Sequence, residues 1–215
     1  MDHDLLAVAR AVKGFMPDDE GLALHEAGRR AAATGLGPLL EIGTYCGKSA
    51  VYLGAAARAG GTTLWSVDHH RGSEEIQPGW EHHDPEVVDA GTGRMDTLPW
   101  ARRTLEAAGL EDTVILVVGV SAAVATAWTT PLSLLFIDGG HSSEIEWADY
   151  RAWAPKVAPG GWLAIHDVYP DPADGGRPPY EIYADALSGG GWTEEAGAAC
   201  GSLRVLRRAA STAAT

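Results

Sequence analysis

A doubly wound α/β fold, with a mostly parallel seven-stranded sheet and helices on both faces, follows from three observations in this 215-residue chain. Short apolar runs alternate with stretches of helical composition, which predicts parallel strands joined by helical crossovers. A glycine loop follows the first apolar run and opens a helix, a geometry that offers unpaired N–H groups to a ligand. Polar residues or glycines close the successive runs, as expected where strands end together at the ligand-binding edge of a sheet. No repeat or linker divides the chain, so residues 1–215 read as a single Rossmann-like domain.

Residues 3–13 and 18–33 read as two N-terminal helices, the second opened by Pro17 and the acids Asp18, Asp19 and Glu20, which suit a helix N-terminus. Gly35 and Gly37 lead into a first strand at 38–42, and a helix at 48–59 ends at Gly60-Gly61. A second strand at 62–67 ends at Asp68. The polar segment 69–95 is too long for an ordinary connection and reads as a functional loop over the substrate. A helix at 96–108, a strand at 114–118, a helix at 121–128 and a strand at 132–137 follow. A helix at 142–156 stops before Pro159-Gly160-Gly161, and a fifth strand covers 162–165. A Pro/Asp/Gly loop at 168–179, a helix at 180–188 and two late strands near 192–197 and 202–206 complete the sheet. The tail 209–215 reads as frayed.

Composition narrows the function. Apolar residues make up 46% of the chain and charged residues 21%, the balance of an ordinary globule. A formal net charge of −13 argues against nucleic acid and against an anionic membrane surface. No apolar run approaches a membrane span, and the start of the chain lacks a secretory signal. Cys46 and Cys200 form no disulfide framework, so the expectation is a reduced, cytoplasmic protein. Cys46, although in the glycine loop, reads as a small buried thiol, because no base neighbours it in sequence.

Three nucleotide motifs compete for the loop Glu41-Ile42-Gly43-Thr44-Tyr45-Cys46-Gly47-Lys48-Ser49-Ala50. The dinucleotide fingerprint G-x-G-x-x-G fails because no central glycine lies between Gly43 and Gly47. The phosphate loop G-x-x-x-x-G-K-[ST] falls one residue short, although Gly47-Lys48-Ser49 and the acid-ended strand before Asp138 keep a nucleoside triphosphatase as the alternative. The spacing present is acid-x-Gly-x-x-x-Gly. Asp68 lies where a doubly wound fold places the acid that accepts ribose hydroxyls. Gly119-Val120-Ser121 follows the third strand, where an adenine ring would lie, and Ser121 also suits a helix N-cap. Glu41 reads either as a water-mediated contact to a ligand amino group or as a cap of the loop.

The chemistry concentrates after the fourth and fifth strands, in Leu134-Leu135-Phe136-Ile137-Asp138-Gly139-Gly140-His141 and Ile165-His166-Asp167. If these ends are adjacent, Asp138, Asp167 and His166 converge as oxygen and imidazole donors for a divalent cation. A cation there would acidify and fix a substrate hydroxyl, and His141, with a reference pKa near neutrality, would take its proton. In segment 68–85, His69, His82, His83 and Trp80 are candidate substrate contacts; their adjacent-pair spacing does not match a zinc site.

Together these motifs resemble the class I S-adenosylmethionine-dependent, metal-dependent O-methyltransferases, over residues 38 to about 168. The resemblance implies that Glu41, Gly43, Thr44, Gly47, Ser49, Asp68 and Ser121 surround S-adenosylmethionine. It also implies that Asp138, His166 and Asp167 hold a divalent cation, Mg²⁺ by the family's habit. The metal pattern is similar to that of the catechol, caffeoyl-CoA, macrolide-sugar and aminocoumarin-sugar enzymes. His141 stands where the catechol enzymes carry a lysine base. His166-Asp167 stands where the family carries Asp-Asn or Asp-Asp, a departure that leaves Asp138 and Asp167 as the firmer ligands. The 68–85 loop resembles that of actinobacterial sugar O-methyltransferases, which implies a sugar or oligosaccharide acceptor; a catechol or other small-molecule hydroxyl is the alternative. Residues 1–34 are expected to cover the acceptor site or to form a homodimer contact.

Overall fold

The computed structural model describes residues 1–73, 77, 79, 83–140, 142–171 and 173–210. Its elements are α1 (His3–Ala11), α2 (Asp18–Ala32), β1 (Leu39–Ile42), α3 (Lys48–Ala59), β2 (Leu64–Asp68), α4 (Leu98–Ala108), β3 (Val114–Val118), α5 (Ser121–Ala127), β4 (Leu132–Ile137), α6 (Ser143–Trp153), β5 (Val157–Ile165), α7 (Arg177–Ser188), β6 (Trp192–Glu194) and β7 (Arg204–Arg208). The sheet runs β3-β2-β1-β4-β5-β7-β6. The first five strands in that order are parallel, and β7 and β6 are each antiparallel to their neighbours. The expected seven-stranded, doubly wound sheet is therefore present. Its chain order reverses between β1 and β4, so the crevice that receives ligands opens above those two strand ends.

The two-residue period of the strands divides the core. Leu39, Leu64, Leu134, Phe136, Trp162 and Ala164 face α1, α2 and α3. Leu40, Ile42, Val67, Leu135, Ile137, Leu163 and Ile165 face α5, α6 and α7. Near-continuous apolar strands are required because both faces are covered. On the first side α2 lies unusually close to α3. A Cβ added at Gly21 would lie 2.4 Å from the Tyr52 ring, and one at Gly28 would lie 3.0 Å from Leu53 and Ala56. That close approach sets the depth at which the first turn of α2 sits.

Several boundaries differ from the sequence expectation, each for a local reason. The helix expected to 156 ends at Trp153 and passes through a 3-10 turn, Ala154–Lys156, into a β5 that starts at Val157 rather than 162. Pro159-Gly160-Gly161 is a bulge inside the strand, not its border. Pairing with β4 shifts register between Leu132 and Leu134, and Gly160 takes φ +81°. The last helix begins at Arg177 rather than 180, because its two prolines occupy the first turn, where a missing N–H costs nothing. α1 ends at Ala11 rather than 13, β6 is shorter than expected, and β7 lies two residues later. Within 69–95 a 3-10 turn, Pro85–Val87, and a bridge between Val88 and Met95 order the second half, where Val87 and Met95 pack on Cys46. Among the described residues no helix is long and apolar enough to cross a membrane.

Candidate active site

A cavity of about 780 Å³ opens at the C-terminal ends of the parallel strands. The glycine loop after β1 forms one wall. Gly43 (φ +93°) and Gly47 (φ +92°) adopt conformations that L-residues avoid, with Tyr45 also at positive φ. A Cβ at Gly43 would lie 1.9 Å from the Asp138 carbonyl oxygen, so only glycine lets β1 and β4 end side by side. Asp68, at the end of β2, fixes the loop. Its Oδ2 accepts the N–H groups of Thr44 (3.0 Å) and Tyr45 (2.9 Å), and its Oδ1 accepts that of His70 (2.7 Å). A carboxylate offers about four acceptor positions, so Oδ1 keeps capacity for a ligand hydroxyl.

Glu41 is on the loop's far side. It shares the α3-facing side of β1 with Leu39, is fully buried and is absent from the cavity wall. The Ser66 hydroxyl donates to its Oε1 (2.5 Å) and lies 2.5 Å from the Thr44 hydroxyl, a chain that braces the loop from below. Burial pushes the Glu41 carboxyl up to about 8, against the pull of the Ser66 and Ser49 hydroxyls. Of its two sequence readings, the loop brace is the one the contacts match. Thr44 and Ser49 line the cavity; Gly47 instead packs on Thr104, whose hydroxyl donates to the Cys46 carbonyl (2.7 Å). Burial raises the Cys46 thiol to about 12, as expected of an inert core cysteine.

Gly119, Val120 and Ser121 line the next corner. Ser121 is the first residue of α5 rather than its N-cap, which is Val120. Its Oγ accepts the Trp153 indole N–H (2.8 Å). Beside it lies Asp149 of α6, buried and on the cavity wall, with its carboxyl raised by burial to about 6 while Ser121 opposes the shift. Sequence reading missed Asp149, because a lone acid within a helix carries no signal until the helix is docked.

The opposite wall carries the acids. Asp138, on the same side of the sheet as Phe136, and His166, on the same side as Ala164, meet above adjacent strands. His166 Nδ1 lies 3.1 Å from Asp138 Oδ1 and 3.3 Å from Asp167 Oδ2. Asp167 can return to that side only because it sits at φ +55°, a conformation that breaks the strand alternation. The sequence-predicted trio is thus assembled, with ligand atoms within 4.8 Å of one another. A fourth group was not foreseen: Glu20 of α2, whose Oε2 is 2.5 Å from His166 Nε2. Burial alone would lower the imidazole pKa, but the Asp138, Asp167 and Glu20 carboxylates overcome it and hold the value well above the ordinary range. In sequence the acids at 18–20 signal only a helix N-terminus, because their partners lie far along the chain.

His69 lines the cavity, whereas His83 sits beside Asp84, away from it. Trp80, His82 and His141 lie outside the described residues. Lys13, Gly14, Phe15 and Met16, between α1 and α2, also line the cavity.

Residues 40–168 match the sequence profile of a family described as a methyltransferase domain, more than half of the chain. The chain belongs to this methyltransferase family. Solved structures agree with the methyltransferase in fold. The O-methyltransferase NovP is 20% identical, with 87% of this chain and 80% of that chain aligned at a TM-score of 0.64. TomG from Streptomyces achromogenes, an O-methyltransferase involved in tomaymycin synthesis and solved with S-adenosylmethionine, is 18% identical, with 98% and 91% aligned at 0.63. A Bacillus cereus O-methyltransferase solved with S-adenosylhomocysteine is 16% identical, with 97% and 91% aligned at 0.63.

Proposed function

We propose that this methyltransferase moves a methyl group from S-adenosylmethionine to a hydroxyl of a sugar or oligosaccharide, with a divalent cation at Asp138, His166 and Asp167. The observation that carries the reading is the close approach of Gly43 to Asp138. It sets a glycine cradle, which any Cβ would fill, directly beside a cluster of metal-ligating groups. The donor set fits a cation: the Nδ1–carboxylate separations of 3.1 and 3.3 Å resemble the roughly 3 Å between neighbouring ligands of an octahedral ion held at about 2.1 Å. When bound, S-adenosylmethionine supplies an electrophilic sulfonium methyl and the cation supplies Lewis acidity toward the acceptor oxygen.

The chain's own residues do the rest. Thr44, Ser49 and the backbone at Gly43 hold the amino-acid end of the cosubstrate, Asp68 Oδ1 accepts from the ribose, and Ser121 bounds the adenine. Asp138 and Asp167 orient the acceptor hydroxyl at near-contact distance to the reacting carbon. His141, the proposed base, takes the hydroxyl proton as the new O–CH₃ bond forms and the old C–S bond breaks. His69, Trp80 and His82 are the proposed sugar contacts, and the 1-hydroxyl of a short 3-O-methylmannoside is the acceptor to try first.

One contact weighs against a triphosphate ligand. The Thr44 and Tyr45 N–H groups, which a phosphate loop would turn toward an anion, already donate to Asp68. Calorimetric titration with S-adenosylhomocysteine, beside Mg²⁺·ATP, tests the reading. Micromolar binding of the first alone supports it, and binding of ATP alone sinks it. Lys48→Ala should leave methyl transfer nearly intact, and acceptor screens with and without EDTA then test sugar and metal.

A further inference from the structure

Glu20 is a buried carboxylate that does not reach the cavity. It is 5% exposed and absent from the cavity wall, yet two distant parts of the chain are built around it. Its Oε2 meets His166 Nε2 at 2.5 Å. Its Oε1 accepts the Ser202 N–H (2.6 Å), and its Oε2 also accepts the Ser202 hydroxyl (3.2 Å). A Cβ at Gly201, which sits at φ +51°, would lie 1.9 Å from Oε1, so that turn has room for the carboxylate only as glycine. Gly21 gives the same close fit on the other side, letting the first turn of α2 sink against Tyr52.

Burying a carboxylate is costly unless it is fully bonded, and apolar residues of similar size would often serve stability as well or better. The arrangement therefore calls for a reason at His166. An imidazole that ligates a cation through one nitrogen commonly donates its other N–H to a carboxylate, which fixes the tautomer and the ring plane. Here Nε2 faces Glu20, and Nδ1 is the nitrogen that lies between Asp138 and Asp167.

We propose that Glu20 is the positioning residue of the metal site: it holds the Nε2–H tautomer of His166, so that Nδ1 is a metal ligand and the site favours an imidazole-accepting ion such as Mn²⁺ over Mg²⁺. This rests on the metal reading given above and extends it to His166. Mixed nitrogen–oxygen donor sets move selectivity in that direction, because Mg²⁺ prefers carboxylate and water oxygens.

Mn²⁺ binding to the full chain, followed by electron paramagnetic resonance, tests the proposal without any acceptor. The wild type should bind Mn²⁺ more tightly than Mg²⁺ measured by competition, and Asp138→Ala should abolish binding. Glu20→Ala should weaken Mn²⁺ by about 10–100-fold, the usual cost of losing such an outer partner, with Glu20→Gln intermediate and S-adenosylhomocysteine affinity unchanged in both. A purely structural Glu20 would shift the melting temperature and leave Mn²⁺ affinity alone, which overturns the proposal while the metal reading stands. Absence of Mn²⁺ binding to the wild type overturns both. Should Glu20→Ala fail to fold, ¹⁵N spectra of the wild-type imidazoles with Zn²⁺ decide the point. A His166 ring protonated only at Nε2 supports the assignment, and one still protonated at both nitrogens refutes it.

Discussion

The glycine-loop wall and the acid wall of this cavity meet at one edge of the sheet, yet they are held by different kinds of bond. On the glycine-loop side the backbone does most of the work. Two positive-φ glycines shape the loop, and backbone N–H groups of Thr44, Tyr45 and His70 converge on one carboxylate, Asp68. On the acid side, side chains hold side chains: Glu20 comes from α2, Asp138, His166 and Asp167 follow the ends of β4 and β5, and each is placed by another. A backbone-built wall depends on a few glycines and one acid. A side-chain wall fails piecemeal, with each loss changing chemistry more than architecture.

The largest expected effect breaks the seam between the two walls. Gly43→Ala would drive a Cβ to 1.9 Å from the Asp138 carbonyl oxygen at a backbone φ of +93°. Calorimetry should show S-adenosylhomocysteine affinity reduced by more than about 100-fold, or about 2.7 kcal/mol. Gly61→Ala, also at positive φ but with nothing within 4 Å, is the control. It should cost only about 1–2 kcal/mol of stability and leave binding intact.

Asp138→Ala sharpens the contrast from the acid side. Turnover should fall on the order of 10²–10³-fold, while S-adenosylhomocysteine affinity stays within about threefold. Parallel loss of affinity and turnover in steady-state and calorimetric measurements would mean that the two walls are not separable. Asp68→Ala is the mirror experiment. Loss of a charged acceptor that also pins the loop should weaken S-adenosylhomocysteine by about 10–100-fold, in line with roughly 1.5–3 kcal/mol for a hydrogen bond to a charged group.

The smallest expected effect concerns the brace beneath the loop. Burial raises the Glu41 carboxyl from an ordinary 4.5 to about 8, so between those values the folded state holds a proton that the unfolded chain has lost. Stability should therefore be greatest near and below pH 4.5 as far as this group is concerned, and its contribution should decline as pH rises toward 8. Glu41→Gln removes that slope and should stabilise the protein on the order of 1–3 kcal/mol at pH 8, read from urea unfolding across the pH range. A variant with an unchanged slope would show that the group is ionised in the fold.

Much of the architecture is legible in residue order, because strands buried on both faces must be apolar and helices between them must carry one apolar stripe. The reading of β1 to β4 and of the residues at their ends holds for that reason. The misplaced start of β5 has an equally physical cause. Pro159-Gly160-Gly161 looks like a stop, and only pairing with β4 turns it into a bulge. Glu41 shows the same limit at the site. Its position in the loop motif is plain, but its direction depends on strand parity, which sends it toward α3 and away from the cavity.

From the sequence alone come the alternation of strands and helices that makes a doubly wound sheet, the glycine cradle, Asp68 at the end of β2, and Asp138 and His166-Asp167 at the ends of β4 and β5, since local pattern dictates all of these. The tertiary structure alone brought Glu20 to His166 and Asp149 to Ser121, and drew Asp167 back to its neighbours through a positive φ. Contacts between residues far apart in the chain leave no periodic trace in a single sequence, and only packing brings them within reach of a hydrogen bond.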